Sequence, residues 1–111
     1  MTIVAVNSNQ DDSNTDKDSI SKYNAVYFHI KVEGGKPDEK IWLKAESTLP
    51  NGEEDEYIFN CEFYDGEYGW YGFEEGIYID PQYGKTGNLQ CRIYNYETGE
   101  LLDVRTVWIS N

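Results

Sequence analysis

Apolar and polar side chains alternate with a period of two in several stretches of this chain, and that period restricts what it can fold into. In residues 23–32 the apolar side chains share one face, which carries Val26, Phe28, Ile30 and Val32, and the other face carries Tyr27, His29 and Lys31. Successive side chains of a strand point to opposite sides, so this stretch is predicted to be a half-buried strand. No segment shows sustained helical spacing.

Further strands are predicted at residues 41–47, 57–64, 70–73, 77–80, 89–96 and 101–109. Turn residues separate them, including Pro50-Asn51-Gly52, Glu74-Glu75-Gly76 and the loop around Gly99. Six or seven short strands with a turn about every ten residues favour an all-β protein. The expected architecture is an antiparallel sandwich of the immunoglobulin-like kind or a small barrel.

The first twenty residues differ in composition from the rest. Residues 7–20 are polar and acidic, and they contain almost no apolar side chain to offset the entropy of ordering them. Ile3–Val6 is either a short strand docked on the sheet or a frayed tail, and the tail is preferred. The chain is therefore divided into a flexible acidic segment, 1–20, and a single β domain, 21–111.

The net charge of −12 limits the classes of partner. Like charge repels phosphates and anionic lipids, so neither direct nucleic-acid binding nor membrane docking is expected. The same charge attracts a basic protein surface, although an acid excess also simply keeps small proteins soluble. Residues 1–6 lack the basic start of a signal peptide, which favours a cytoplasmic protein, or a secreted one if a leader has been removed.

The residues that carry chemistry do not form a catalytic pattern, so no enzyme, cofactor or metal is predicted. A glycosidase pair could be drawn from Glu62 with Glu67 or Glu75, but ordinary solvated carboxylates explain them better. The acidic loops offer calcium ligands without the EF-hand spacing. His29 is expected to be a lone surface histidine.

Cys61 and Cys91 are the only cysteines and do not form a metal-binding pair. Both are expected to be reduced, buried and inert. A disulfide between them is the alternative for an exported protein.

Acids and aromatics coincide in the window Glu53–Tyr83, which holds ten of the twenty-one acids and ten of the seventeen aromatics. No lysine or arginine occurs between Lys44 and Lys85. Tyr57 and Phe59 suit a core, but the remaining rings are too numerous for one. The residues predicted to bind a partner are Glu62, Tyr64, Asp65, Glu67, Tyr68, Trp70, Tyr71, Glu74 and Glu75.

The favoured hypothesis is a non-catalytic protein that docks a basic, nucleic-acid-binding partner through this window. Inhibitors and immunity-type proteins that imitate nucleic acid work in this way, with exposed Tyr and Trp as anchors. Trp70, between Gly69 and Tyr71-Gly72, is the leading anchor. The alternatives are a carbohydrate-binding module, with Tyr68, Trp70 and Tyr71 stacking on sugar rings, and a structural or display domain.

Overall fold

The computed structural model describes residues 2–33, 40–62, 64–65, 71–79 and 85–111. These residues contain β-strands and no helix. The strands are β1 (Thr2–Asn7), β2 (Ser19–Ser21), β3 (Val26–Glu33), β4 (Lys40–Thr48), β5 (Glu54–Glu62), β6 (Tyr64–Asp65), β7 (Tyr71–Ile79), β8 (Gly87–Asn95) and β9 (Leu101–Ser110). Within the described residues there is therefore no long apolar helix able to span a membrane.

The strands form two sheets. One has four strands in the order β1-β3-β7-β6, and the other has five in the order β2-β9-β8-β4-β5. Every pairing is antiparallel except that of β2, which runs parallel to β9. The all-β prediction is confirmed, and the two-sheet arrangement is compatible with a β-sandwich.

The core is built from the inward faces of both sheets. Its largest fully buried side chains include Phe28, Ile30, Leu43, Leu89, Ile93 and Ile109. The predicted alternation in β3 is confirmed at Val26, Phe28 and Ile30, all of which are buried. Full burial of such a side chain stabilises a fold by about 1.5–3 kcal/mol, so these strands supply most of the driving force for folding.

The beginning of the chain differs from its prediction. Thr2–Asn7 is not a frayed tail, because it pairs with β3 and buries Ile3, Ala5 and Val6 in the core. Ser19–Ser21 pairs with β9, so the ends of the predicted flexible segment lie in different sheets. Residues 8–18, called the strap below, connect them.

The turn predicted at Glu74-Glu75-Gly76 is also wrong. These residues lie inside the continuous strand β7, which pairs with β3 from Gly72 opposite Glu33 to Ile79 opposite Val26. Gly76 lies opposite His29, and a Cβ built on Gly76 would lie 3.2 Å from the His29 ring. The glycine therefore makes room for a neighbouring ring instead of marking a turn.

A disulfide between the cysteines is incompatible with their positions. Cys61 on β5 lies opposite Ile41, whereas Cys91 on β8 lies opposite Ser47, on the other side of β4. The two positions differ by six residues along β4, about 20 Å at the rise of a strand. A bridge needs Cα atoms within about 7 Å, and Cys91 is a free, buried thiol.

Candidate binding site

The residues predicted to bind a partner fall on three strands and one stretch outside the described residues. Glu62 ends β5, Tyr64 and Asp65 form β6, and Tyr71, Glu74 and Glu75 lie on β7. Glu67, Tyr68 and Trp70 lie outside the described residues, as does the turn that was expected to present Trp70. The backbone brings one pair of them together, Asp65 opposite Tyr71, while Tyr64 lies opposite Gly72.

A cleft of about 480 Å³ lies between β4 and β5 of one sheet and β7 of the other. We call it the edge cleft. Its lining comprises Ala45, Ser47, Asp55, Glu56, Tyr57, Gly76, Ile77, Tyr78 and Ile79. Seven of these nine residues belong to the acidic, aromatic window, but none of them is among the residues predicted to bind a partner.

Asp55 and Tyr57 face the edge cleft because of the register between β4 and β5. Tyr57 lies opposite Ala45 and Asp55 opposite Ser47, and both β4 residues are buried on the inward side. Tyr57 nevertheless remains 49% exposed, with its ring stacked on Phe59 at a centroid distance of 5.1 Å. The expectation that Tyr57 fills the core is therefore wrong, since only its inner neighbour Phe59 is buried.

The cleft lies at one end of β5 and of β7. Asp55 and Tyr57 are near the start of β5, and Gly76–Ile79 is the end of β7. Where β6 is described, it pairs with Gly72 and Tyr71 at the start of β7 and not with the residues that line the cleft. The half-exposed Tyr57 ring lies in this gap.

A tight turn holds the acids at the mouth of the cleft. The Gly52 amide donates to the Leu49 carbonyl at 2.9 Å, and the Leu49 amide donates to the Glu53 carbonyl at 2.8 Å. Gly52 has a φ of 89°, which glycine tolerates without strain. The predicted turn is thus confirmed, and it presents four consecutive exposed acids, Glu53–Glu56.

These four acids point in two directions. Glu54 lies on the outer face of the sheet, where its carboxylate is 3.8 Å from the Arg92 guanidinium. Glu56 lies opposite Glu46 on that same face. Asp55 faces the cleft, and no ion pair or hydrogen bond to its carboxylate occurs among the described residues. The cleft therefore offers the Asp55 carboxylate and the Tyr57 ring to an incoming group.

His29 is not the surface residue that was predicted. It lies on the side of β3 that faces away from the core, but the strap covers it and leaves 3% of it exposed. The Asn7 amide nitrogen donates to the carbonyls of Asp12 at 2.6 Å and Thr15 at 2.7 Å. Asn7 Oδ1 must then be the acceptor for His29 Nε2 at 2.9 Å, so Nε2 carries a proton.

The Cys91 thiol lies behind Ser47, which lines the cleft. Burial raises the pKa of this thiol to about 12, although the hydrogen bond with Ser47 opposes the shift. Such a thiol carries almost no thiolate at neutral pH and is a poor nucleophile. Among the described residues, no three His, Cys, Asp or Glu side chains are placed to hold a metal ion.

Comparison with known proteins adds no relative: no family model, curated protein or solved structure matches this chain. What can be said of function therefore depends on the geometry of the chain itself.

Proposed function

We propose that this chain is a non-catalytic binding protein that holds an extended, basic segment of a partner protein in the edge cleft. The observation that carries the proposal is the lining of the cleft, which places the carboxylate of Asp55 beside the half-exposed ring of Tyr57. A lysine or arginine of the partner fits this combination. Its aliphatic stem packs along a ring, and its charged end reaches the carboxylate.

The charge of the chain supports the choice of a basic partner. The molecule carries a net charge of −12, and residues 45–84 contain no lysine or arginine. Such a surface accelerates encounter with a cationic partner and slows encounter with anions. An inhibitor or immunity-type protein that occupies the phosphate-binding groove of a nucleic-acid-binding protein is the setting that suits this charge best.

Tyr57 supplies the short-range part of the interaction. Its ring is 49% exposed and lies in the lining of the cleft. Tyrosine is among the residues most often found as energetic anchors of interfaces, because it offers a large contact area at a small entropic cost. Charge therefore governs the association rate, while this ring slows dissociation.

We also infer that the scaffold is immunoglobulin-like. The order β1-β3-β7-β6 corresponds to strands A, B, E and D of that fold, and the order β9-β8-β4-β5 to strands G, F, C and C′. Chain order supports the same correspondence, since each strand takes its place in alphabetical sequence. Such a topology serves many functions, so the function is argued from the cleft and not from the fold.

Binding of a peptide of alternating lysine and valine, followed by calorimetry at low and moderate salt, tests the proposal. We expect Asp55→Asn to weaken binding about tenfold, the equivalent of about 1.4 kcal/mol. Glu97→Gln is the matched control, because it removes the same charge from an exposed position in the turn between β8 and β9. Equal losses in the two variants would show general attraction to an acidic protein and would overturn the assignment to the cleft.

Substitution of Tyr57 in the same assay distinguishes the contact made by its ring from the attraction between charges. We expect Tyr57→Ala to weaken binding by about tenfold or more, in the range of an interface hot spot. We expect this loss to persist when salt is raised, because it removes contact area and not charge. Unchanged affinity in Tyr57→Ala would exclude the ring as an anchor.

A further inference from the structure

A second surface, separate from the edge cleft, lies on the outer side of the five-stranded sheet. The large, apolar side chains there that are at least 39% exposed are Trp42, Ile58, Tyr96, Leu101, Val104 and Trp108. The first five, together with the partly buried Tyr94, form what we call the aromatic face. Surface patches of this kind mark interaction sites when their members are contiguous.

Strand register makes the aromatic face contiguous. Ile58 and Tyr94 both lie opposite Lys44, from the two sides of β4, and Leu101 lies opposite Tyr94. These four residues therefore form one row across β5, β4, β8 and β9. The Tyr96 amide donates to the Trp42 carbonyl at 2.9 Å, which adds the next row beside the first.

The charges on this face largely neutralise one another. The Lys44 ammonium lies 3.0 Å from Glu46, and the Arg92 guanidinium lies 3.7 Å from Glu46 and 3.8 Å from Glu54. With Glu56, the face carries two cations and three carboxylates among its described side chains, a net charge of −1. The whole chain carries −12, so this is a surface where another acidic molecule meets little repulsion.

We propose that the aromatic face binds a second copy of this chain, which goes beyond the partner proposed for the edge cleft. A basic partner is drawn to the acidic surfaces and not to a nearly neutral one. A sugar would be held by rings alone, whereas Ile58, Leu101 and Val104 add branched aliphatic groups suited to a protein contact. Twofold dimers are the commonest assemblies of identical chains.

The size of the face is sufficient for such a dimer. Strands β4, β5 and β8 each contain nine residues. Four strands spaced about 4.8 Å apart, with a rise of about 3.3 Å per residue, present roughly 600 Å². Two copies face to face hide roughly 1,200 Å², at the lower end of stable, specific interfaces. A reversible dimer is therefore expected.

Sedimentation equilibrium of the full chain over a range of concentrations tests the proposal. We expect a monomer–dimer equilibrium that becomes tighter as salt is raised, because screening removes the repulsion between two acidic copies. The binding of a basic peptide to the edge cleft has the opposite salt dependence, so each proposal can fail without the other. A chain that stays monomeric at millimolar concentration in high salt would overturn this inference.

Substitution of Leu101 with either sign of charge locates the contact. We expect both Leu101→Glu and Leu101→Lys to weaken the dimer at least tenfold, since each places a charge in an apolar contact. Tyr23→Glu and Tyr23→Lys are the controls, because Tyr23 is 82% exposed and lies outside this face. Unchanged melting temperatures show that the variants fold. If Leu101→Lys instead strengthens the dimer, net charge and not the aromatic face controls association, and the inference fails.

A tryptophan-fluorescence titration with neutral oligosaccharides tests whether the aromatic face binds a glycan and not a second copy of the chain. A response that saturates with sugar and is lost in Trp42→Ala, in a chain that does not dimerise, would assign the face to a glycan instead. Absence of any response, together with the dimer, supports the second copy.

Discussion

The strap and the turn at the mouth of the edge cleft each carry four acids, but they use them in different ways. In the strap, Asp16 accepts hydrogen bonds from the Val6 amide and from Arg105, each at 3.0 Å. Asp12 likewise accepts from the amides of Asn14 and Thr15. At the mouth of the cleft, Glu54 pairs with Arg92 on the outer face of the sheet, whereas Asp55 has no such donor among the described residues. The carboxylates of Asp12 and Asp16 therefore serve folding, whereas that of Asp55 remains available for binding.

The largest expected effect concerns the floor of the edge cleft. Because burial raises the pKa of Cys91 to about 12, its thiolate fraction at pH 8 should be about a thousandfold lower than that of an ordinary thiol. In a Cys61→Ser variant, which leaves Cys91 alone, we expect almost no reaction with a thiol reagent until denaturant is added. Rapid labelling of the folded variant would mean that the cleft opens into the core.

The strap should depend strongly on Asn7, which is buried and bonds to His29, Asp12 and Thr15. We expect Asn7→Ala to lower the free energy of unfolding by about 3 kcal/mol, since each buried polar group left without a partner costs about 1–3 kcal/mol. Urea unfolding measures the loss. Asn9→Ala, at an exposed strap position, should cost about 0.5 kcal/mol or less. Similar small losses in both variants would show that the strap is only loosely attached.

Gly76 lies between the edge cleft and the strap. It lines the cleft and makes room for the His29 ring, which the strap covers. A methyl group there would meet the ring at 3.2 Å, and Asn7 prevents the ring from moving away. We expect Gly76→Ala to destabilise the fold by about 1–2 kcal/mol, as for modest overpacking. In a His29→Ala background the cost should disappear, which a double-mutant cycle would measure. An equal cost in both backgrounds would place the strain elsewhere.

The smallest expected effect is a dependence of stability on acid pH. Burial alone would raise the pKa of Asp16, but the hydrogen bonds from Arg105 and the Val6 amide outweigh it and lower the pKa below 3.8. A lowered folded-state pKa means that the stabilisation is present above about pH 4 and is lost as the pH falls below that value. We expect about 0.5–1 kcal/mol at neutral pH, since the ion pair is partly exposed.

The comparison for this effect is Asp16→Asn against Asp55→Asn. The Asp16→Asn variant should be less stable than the parent chain at pH 6 and equally stable near pH 2. The Asp55→Asn variant should show no such convergence, because the fold does not use that carboxylate. The same pH profile for both variants would remove the distinction between the strap and the cleft.

Hydrophobic periodicity predicted the all-β class, because the inward residues of β3, β4 and β8 alternate as strands require. The strap could not be predicted in this way. Residues 7–20 contain few apolar side chains, and for that reason they were predicted to be flexible. Asn7 and Asp16 instead hold the strap by polar contacts to residues distant in sequence. Gly76 was wrongly predicted to lie in a turn for a related reason. The His29 ring, for which this glycine makes room, belongs to a neighbouring strand.

The candidate site could be predicted only as a region. The window Glu53–Tyr83 supplies Asp55, Tyr57 and Tyr78, but the cleft also needs Ala45 and Ser47 from β4. The cleft forms where one end of β5 and β4 meets the end of β7 from the other sheet, which no local pattern reveals. The individual residues chosen from the sequence remain predictions, including Glu67, Tyr68 and Trp70 outside the described residues.

The most direct test of the contrast between the two regions is a nuclear magnetic resonance titration of the ¹⁵N-labelled chain with the alternating lysine–valine peptide. We expect the largest amide shift changes at Asp55, at Tyr57 and along Gly76–Ile79, with the strap residues almost unchanged. The strap has as many acids, but Asp12 and Asp16 already accept hydrogen bonds and the strap offers no cleft, so it should attract the peptide less. Shift changes that are largest in residues 8–18, or that are equal in the strap and the edge cleft, would overturn the assignment of binding to the cleft.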